Sequence, residues 1–97
     1  MHKRNPAIYI VTNKRNGTLY TGVTSDLIQR ISQHKNGVVS GFAKRYDCKQ
    51  LVYYEQYEDM LIAIEREKQM KAGSRKKKIA LIESVNPKWL DLYDQLL

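Results

Sequence analysis

Five side chains in this sequence are of the kinds that move protons, grip oxyanions and hold cations: Tyr9, Tyr20, Arg30, His34 and Glu67. An imidazole titrates close to neutrality, and a phenol beside it can share its proton. A guanidinium presents a planar fork that matches a phosphate or a carboxylate. A carboxylate set among apolar residues is costly unless it is paired or bound to a metal ion. Taken singly, each has a plain structural reading. Tyr9 and Tyr20 are then strand aromatics, Arg30 a helix surface charge, and His34 a helix-end histidine favoured by the dipole. Glu67 alone reads first as a salt-bridge partner. Only their joint order and spacing point to chemistry.

The elements that must position them follow from local pattern. Ala7 to Thr12 is β-branched and aromatic, as a strand requires. Asn16-Gly17 marks a hairpin turn, and Leu19 to Val23 returns as a second strand. Alternation puts Tyr9 with Val11 and Tyr20 with Gly22, and an antiparallel pairing can bring the two phenols together. Gly22 leaves a notch beside Tyr20. Thr24-Ser25-Asp26 can cap a helix that runs through Leu27, Ile31 and His34 and stops near Asn36-Gly37. Arg30 and His34, four apart, project from one side and border the Leu27-Ile31 stripe. A later helix, Asp59 to about Lys71, carries an apolar stripe of Met60, Ala63, Ile64 and Met70. Glu67 falls inside that stripe, whereas Glu65 and Arg66 fall off it and read as solvated surface.

Ala7-Ile8-Tyr9 and Tyr20-Thr21-Gly22, followed by Arg30 and His34, resemble the GIY-YIG nuclease superfamily. The pattern is similar to its small single-domain bacterial members, which resemble the N-terminal nuclease domain of the bacterial repair excinuclease. Ala7 stands for the leading Gly of the first triplet, Thr21 for the middle residue of the second, and Val23 where the excinuclease branch often has lysine. The resemblance implies a three-stranded sheet flanked by helices and a metal-binding glutamate on the later helix. Glu67-Lys68-Gln69-Met70-Lys71 fits that glutamate's surroundings best. It also implies hydrolysis of a DNA phosphodiester. Glu67 would then hold Mg²⁺ or Mn²⁺, Arg30 would take phosphate, and Tyr20 would orient water or phosphate. Tyr9 or His34 would be the base, with Arg30 and a protonated His34 stabilising the Tyr9 anion.

Composition agrees with a globular domain and a polyanionic partner. The 97 residues are 42% hydrophobic and 28% charged, and 17 Lys+Arg against 10 Asp+Glu leave a net +7. Such an excess favours nucleic acid, DNA first and RNA second. No apolar run is long enough to span a bilayer, and no hydrophobic signal core follows the basic N-terminus, so neither a membrane nor export is expected. One cysteine, Cys48, suits a reducing cytoplasm and reads as a half-buried apolar residue.

Met1 to Pro6 is a polar lead-in in which His2, Lys3 and Arg4 either stay disordered or touch phosphate. Val38 to Cys48 reads as a loop whose Phe42, Lys44, Arg45 and Tyr46 suit nucleic-acid contact or, equally, local packing. Gln50 to Tyr57 is a third strand, with Val52, Tyr54 and Gln56 on one face and Leu51, Tyr53, Glu55 and Tyr57 on the other. Ser74 can cap a helix that starts with Arg75, Lys76, Lys77 and Lys78, a basic run that phosphates would relieve. Ile79 to Val85 reads as well buried. Asn86-Pro87 ends that helix, which explains Asn86 without catalysis. Trp89, Leu92, Tyr93 and Leu96 suggest a last helix. The expected fold is α+β, one domain over 1–97, in the order β-β-α-β-α-α-α. Two other classes share these features: a nucleic-acid-binding module that does not cut, and an adaptor recruiting a larger repair or DNA-recognition protein.

Overall fold

Strand β1, Ala7–Thr12, is the middle of the sheet, and its sequence AIYIVT shows why. It has no polar face, and all six residues are buried. A strand covered on both sides reads as one continuous apolar run. The computed structural model, which describes residues 5–39 and 41–97, pairs β1 antiparallel with β2, Leu19–Thr24, and with β3, Gln50–Gln56. The expectations for His2, Lys3 and Arg4 fall outside the described residues. The strand order is β2-β1-β3.

The β1–β2 turn forms at Asn16-Gly17, with the two residues in different roles. Asn16 takes the left-handed conformation (φ 57°), which asparagine tolerates. Gly17 supplies room, because a Cβ there would sit 2.1 Å from Asn13 Oδ1. That oxygen accepts a hydrogen bond from Thr18 N at 3.0 Å and closes the turn.

Alternation splits β1 between two cores. Ala7, Tyr9 and Val11 pack with Leu27 and Ile31 of α1, Leu27–Lys35, and with Ala43, Cys48, Leu51 and Leu92. Ile8 and Ile10 pack with Ala63 and Met70 of α3, Met60–Ala72, with Ile82 of α4, Arg75–Val85, and with Trp89. Both later helices begin as their sequences suggest. Asp59 Oδ1 accepts from Leu61 N at 2.8 Å, and Ser74 Oγ accepts from Lys77 N at 3.1 Å. The result is an α+β sandwich of one antiparallel sheet between helices, and no described helix is long and apolar enough to cross a membrane.

Five expectations change. Part of the Val38–Cys48 loop is a short helix, α2, Phe42–Arg45, whose Ala43 side chain is buried. Cys48 is fully rather than half buried. Strict alternation fails in β3. The register passes from Ile10↔Tyr53 to Val11↔Leu51, so Val52 is an extra, bulged residue. Leu51 and Tyr54 therefore share the α1 side, while Val52 and Tyr53 share the α3 side. Finally, α4 buries only Ile82 fully and exposes Val85, and the closing segment is a 3₁₀ helix, Leu92–Leu96. Trp89 lies before it in a left-handed conformation (φ 57°), its ring buried and its Nε1 donating to Glu83 Oε2 at 2.9 Å.

Candidate functional site

The register decides which ring meets which backbone. Tyr9 lies opposite Gly22, and Tyr20 lies opposite Val11. A Cβ on Gly22 would come within 2.4 Å of the Tyr9 Cζ and hydroxyl. The notch expected beside Tyr20 is thus filled by Tyr9, whose hydroxyl is steered across β2. The two ring centroids are 6.4 Å apart.

Helix α1 brings the imidazole to meet them. Asp26 caps it, accepting from Gln29 N at 3.2 Å, and Leu27, Ile31 and His34 form its buried stripe. His34 is only 4% exposed. Its Nε2 lies 2.9 Å from the Tyr9 hydroxyl. Its ring centroid is 5.4 Å from that of Tyr9 and 5.7 Å from that of Tyr20, so the three rings close a triangle. With the proton on Nδ1, the phenol donates to Nε2.

Electrostatics keep both partners neutral. Burial, then the neighbouring Tyr20, push the Tyr9 phenol well above its ordinary value; Arg30 offsets part of this, and the charge of Glu67 adds to the rise. Burial, then the positive charge of Arg30, lower His34 to about 4. The protonated His34 expected as a support for a Tyr9 anion is therefore not the resting form. A dry pocket beside a guanidinium disfavours a second cation. No carboxylate among the described residues pairs with Arg30, so its fork keeps capacity for an anion.

Glu67 comes from the other side of the sheet. Helix α3 packs on β2 as well as β1, and β2 is an edge strand, so a side chain on α3 can act around that edge. The Glu67 side chain is 15% exposed, and Lys71 Nζ, one turn on, is 3.6 Å away, beyond hydrogen-bond length. Glu65 is exposed, as its position off the stripe suggested. No group of three or more His, Cys, Asp or Glu among the described residues could chelate a metal. A lone, partly buried carboxylate still fits a hard divalent ion such as Mg²⁺, which keeps several waters and needs few protein ligands.

Beside Tyr20 opens a cleft of about 290 Å³, lined also by Phe42, Lys71, Arg75 and Lys78. Of the basic residues singled out from sequence, Arg75 lines this cleft while donating to the carbonyls of Asn16 and Gly17 at 2.8 and 2.7 Å. Lys44 and Arg45 are exposed on α2, next to Phe42. Lys76 is exposed, and Lys77 faces a separate depression with Ala80, Leu81 and Ser84. Lys78, the last of the basic run read from sequence, also lines the cleft, and sequence reasoning missed Lys71 as a cleft cation. The signal for Lys71 was its i+4 spacing from Glu67.

It also missed a second polar cluster. Arg66, expected in solvent, grips Glu55 through Nε and Nη2 at 2.8 and 3.1 Å, and the hydroxyls of Tyr53 and Tyr57 donate to the same carboxylate. Asn86 is structural, as its position suggested. It is buried, and its amide donates to Val52 O and Leu90 O at 3.1 and 2.8 Å.

Comparison with known proteins identifies the family. The family model described as "GIY-YIG catalytic domain" matches residues 5–80, a span that holds all five candidate residues and stops before Asn86. A UPF0213 protein of Staphylococcus saprophyticus is 43% identical over 75 residues, 77% of this chain and 90% of that one. One of Staphylococcus aureus is 37% identical over 76 residues, 78% and 92% of the two chains. The solution NMR structure of the UPF0213 protein BH0048 from Bacillus halodurans superposes with a TM-score of 0.54 at 30% identity, covering 87% of each chain.

Proposed function

This chain belongs to the GIY-YIG family, and from that premise we propose that it is a metal-dependent endonuclease that hydrolyses DNA phosphodiesters. The observation that supports this best is the buried Tyr9–His34 hydrogen bond of 2.9 Å, beside a guanidinium that no described carboxylate neutralises.

Hydrolysis needs a base for the attacking water, a cation for the charge that builds on phosphate, and fixed geometry. The water's proton goes to the Tyr9 oxygen as the Tyr9 proton passes to His34 Nε2. A neutral imidazole at physiological pH is the acceptor this relay requires, and one whose pKa lies near 4 readily gives the proton back. Arg30 holds the non-bridging oxygens, and its charge eases the transient phenolate. Tyr20 orients phosphate or water at the mouth of the cleft. Glu67 would hold the Mg²⁺ or Mn²⁺ ion, which when bound supplies positive charge to the phosphate and the leaving oxygen.

Lys44, Arg45, Arg75, Lys76 and Lys77, with the cleft lysines, supply attraction for the backbone. Such groups recognise charge and base faces more than base edges, so intrinsic sequence selectivity is low. A repair or DNA-recognition protein then directs the enzyme, in a reducing cytoplasm where the buried Cys48 stays a thiol.

The test is a panel of nicked, flapped, single-stranded and duplex DNA, and RNA, incubated with Mg²⁺, Mn²⁺ or EDTA. Cleavage that EDTA and Glu67→Ala both abolish is the expected result. Salt-sensitive binding to every substrate with no cutting under any metal would make the protein a binding module instead.

A further inference from the structure

The aromatic triangle does not end at Tyr20. The Phe42 ring stacks near-parallel on Tyr20, 24° between planes and 6.4 Å between centroids. Tyr46 lies 4.7 Å from Phe42, and the Arg45 guanidinium sits 5.6 Å over the Tyr46 ring. A row of π-faces thus runs from the Tyr9–His34 pair to the surface. Its outer members are exposed: Phe42 by 48% and Tyr46 by 41%. Two large aromatic rings left half in water, at the start of a four-residue helix and at its C-cap, are poor packing. Ala43 between them is the residue of α2 that anchors it, at 2% exposure.

Charge says what the row is for. Lys71, Arg75 and Lys78 line the same cleft as Phe42 and Tyr20, and Lys44 and Arg45 flank it on α2. Aromatic faces interleaved with cations bind unpaired bases, because a stacked ring takes the base while the cations follow the phosphates. A base inside a duplex has both faces covered by its neighbours and cannot use such a platform.

Resting on the nuclease reading, we infer that Phe42 and Tyr46 form a base-stacking platform, so that the substrate is a single-stranded or splayed polynucleotide whose unpaired base lies next to the scissile phosphate. Phe42 takes the base, Tyr46 and Arg45 the next one, and Tyr20 leads the intervening phosphate to Arg30. DNA and RNA share this chemistry.

Binding is measured in EDTA by fluorescence anisotropy, with single-stranded DNA, single-stranded RNA and duplex DNA of equal length. The full chain carries either its native Phe42, Phe42→Ala or Phe42→Trp. Single strands should bind more tightly than duplex, and Phe42→Ala should weaken single-strand binding about tenfold while leaving duplex binding alone. Phe42→Trp should restore it, with tryptophan emission quenched by single strands only. The buried native Trp89 stays silent. Tyr46→Ala gives the same pattern, more weakly. Equal loss on both nucleic acids, tighter duplex binding, or no change in Phe42→Ala overturns the platform. These readings need no cleavage, so they stand apart from the metal and EDTA test of the nuclease. Better binding of the RNA arm would name RNA as the favoured strand.

Discussion

Two polar clusters carry nearly the same side chains to opposite ends. In one, Tyr53, Tyr57, Arg66 and Glu55 form a closed bracket. Both carboxylate oxygens are taken, by two phenols and by two guanidinium nitrogens. Burial alone would raise Glu55, but the hydrogen bonds from Arg66, Tyr53 and Tyr57 outweigh it and hold the carboxyl at about 2. In the other cluster Tyr9, Tyr20, Arg30 and His34, joined by Glu67 from α3, stay open. The Arg30 fork has no carboxylate partner among the described residues, and Glu67 has only a lysine at 3.6 Å. Residue type therefore does not separate structure from chemistry. Saturation does: a cluster with every donor matched has nothing left to offer a substrate.

The largest break in this contrast comes from neutralising each carboxylate in turn. Glu67→Gln should lower metal-dependent cleavage on the order of 10³-fold while leaving the unfolding midpoint in place, because its carboxylate anchors little. Glu55→Gln should do the reverse. It leaves a half-buried guanidinium short of charge and costs about 1–3 kcal/mol in urea unfolding, with cleavage unchanged below the transition. If both variants lose stability equally, the open site is a second bracket and the contrast fails.

Acid separates the two clusters next, because their windows differ. His34 is lowered from 6.5 to about 4. Between those values the unfolded chain binds a proton that the folded chain refuses, so stability falls as pH drops through that window. Glu55 is lowered from 4.5 to about 2. Its stabilisation is complete above 4.5 and lost as pH falls toward 2. Each window spans roughly 3 kcal/mol at most. Urea titrations at stepped pH should show the upper loss vanish in His34→Asn and the lower one vanish in Glu55→Gln.

Gly22→Ala probes how tightly the open site is built. The added methyl would lie 2.4 Å from the Tyr9 hydroxyl, so the ring must move off His34. We expect about 1–3 kcal/mol of destabilisation. Cleavage should fall further than thermal melting alone accounts for. Retained cleavage would show that the Tyr9–His34 distance is not critical.

How much of this was legible beforehand follows from which physics sets each feature. β1, the hairpin and the caps at Asp26, Asp59 and Ser74 rest on local pattern, and they stand where the residues put them. Glu67 was marked by its conflict with the α3 stripe. The Val52 bulge was hidden, since a register shift belongs to two strands and a period-2 count sees one. Arg66 was out of sight for a different reason: its partner Glu55 is eleven residues away on another element, and periodicity places a side chain on a face without naming what it meets there. The Phe42 stack was hidden for a similar reason, because α2 is too short for a helical period.

Arg75 gives the smallest expected effect and the finest test, because it stands between the two kinds of role. Its Nη2 donates to Asn16 O and Gly17 O, a structural tie that pins the hairpin leading into Tyr20. The same side chain lines the cleft and is exposed, and a guanidinium has donors beyond those two bonds. Arg75→Ala should therefore cost only about 0.5–1 kcal/mol in urea unfolding, because exposed hydrogen bonds exchange readily with water. If the spare donors also reach phosphate, the salt dependence of single-strand binding should lose one contact. The slope of log K against log salt would then fall by about 0.7. A slope unchanged while the hairpin loosens would place Arg75 with the closed bracket, as a residue whose bonding capacity is spent on the fold.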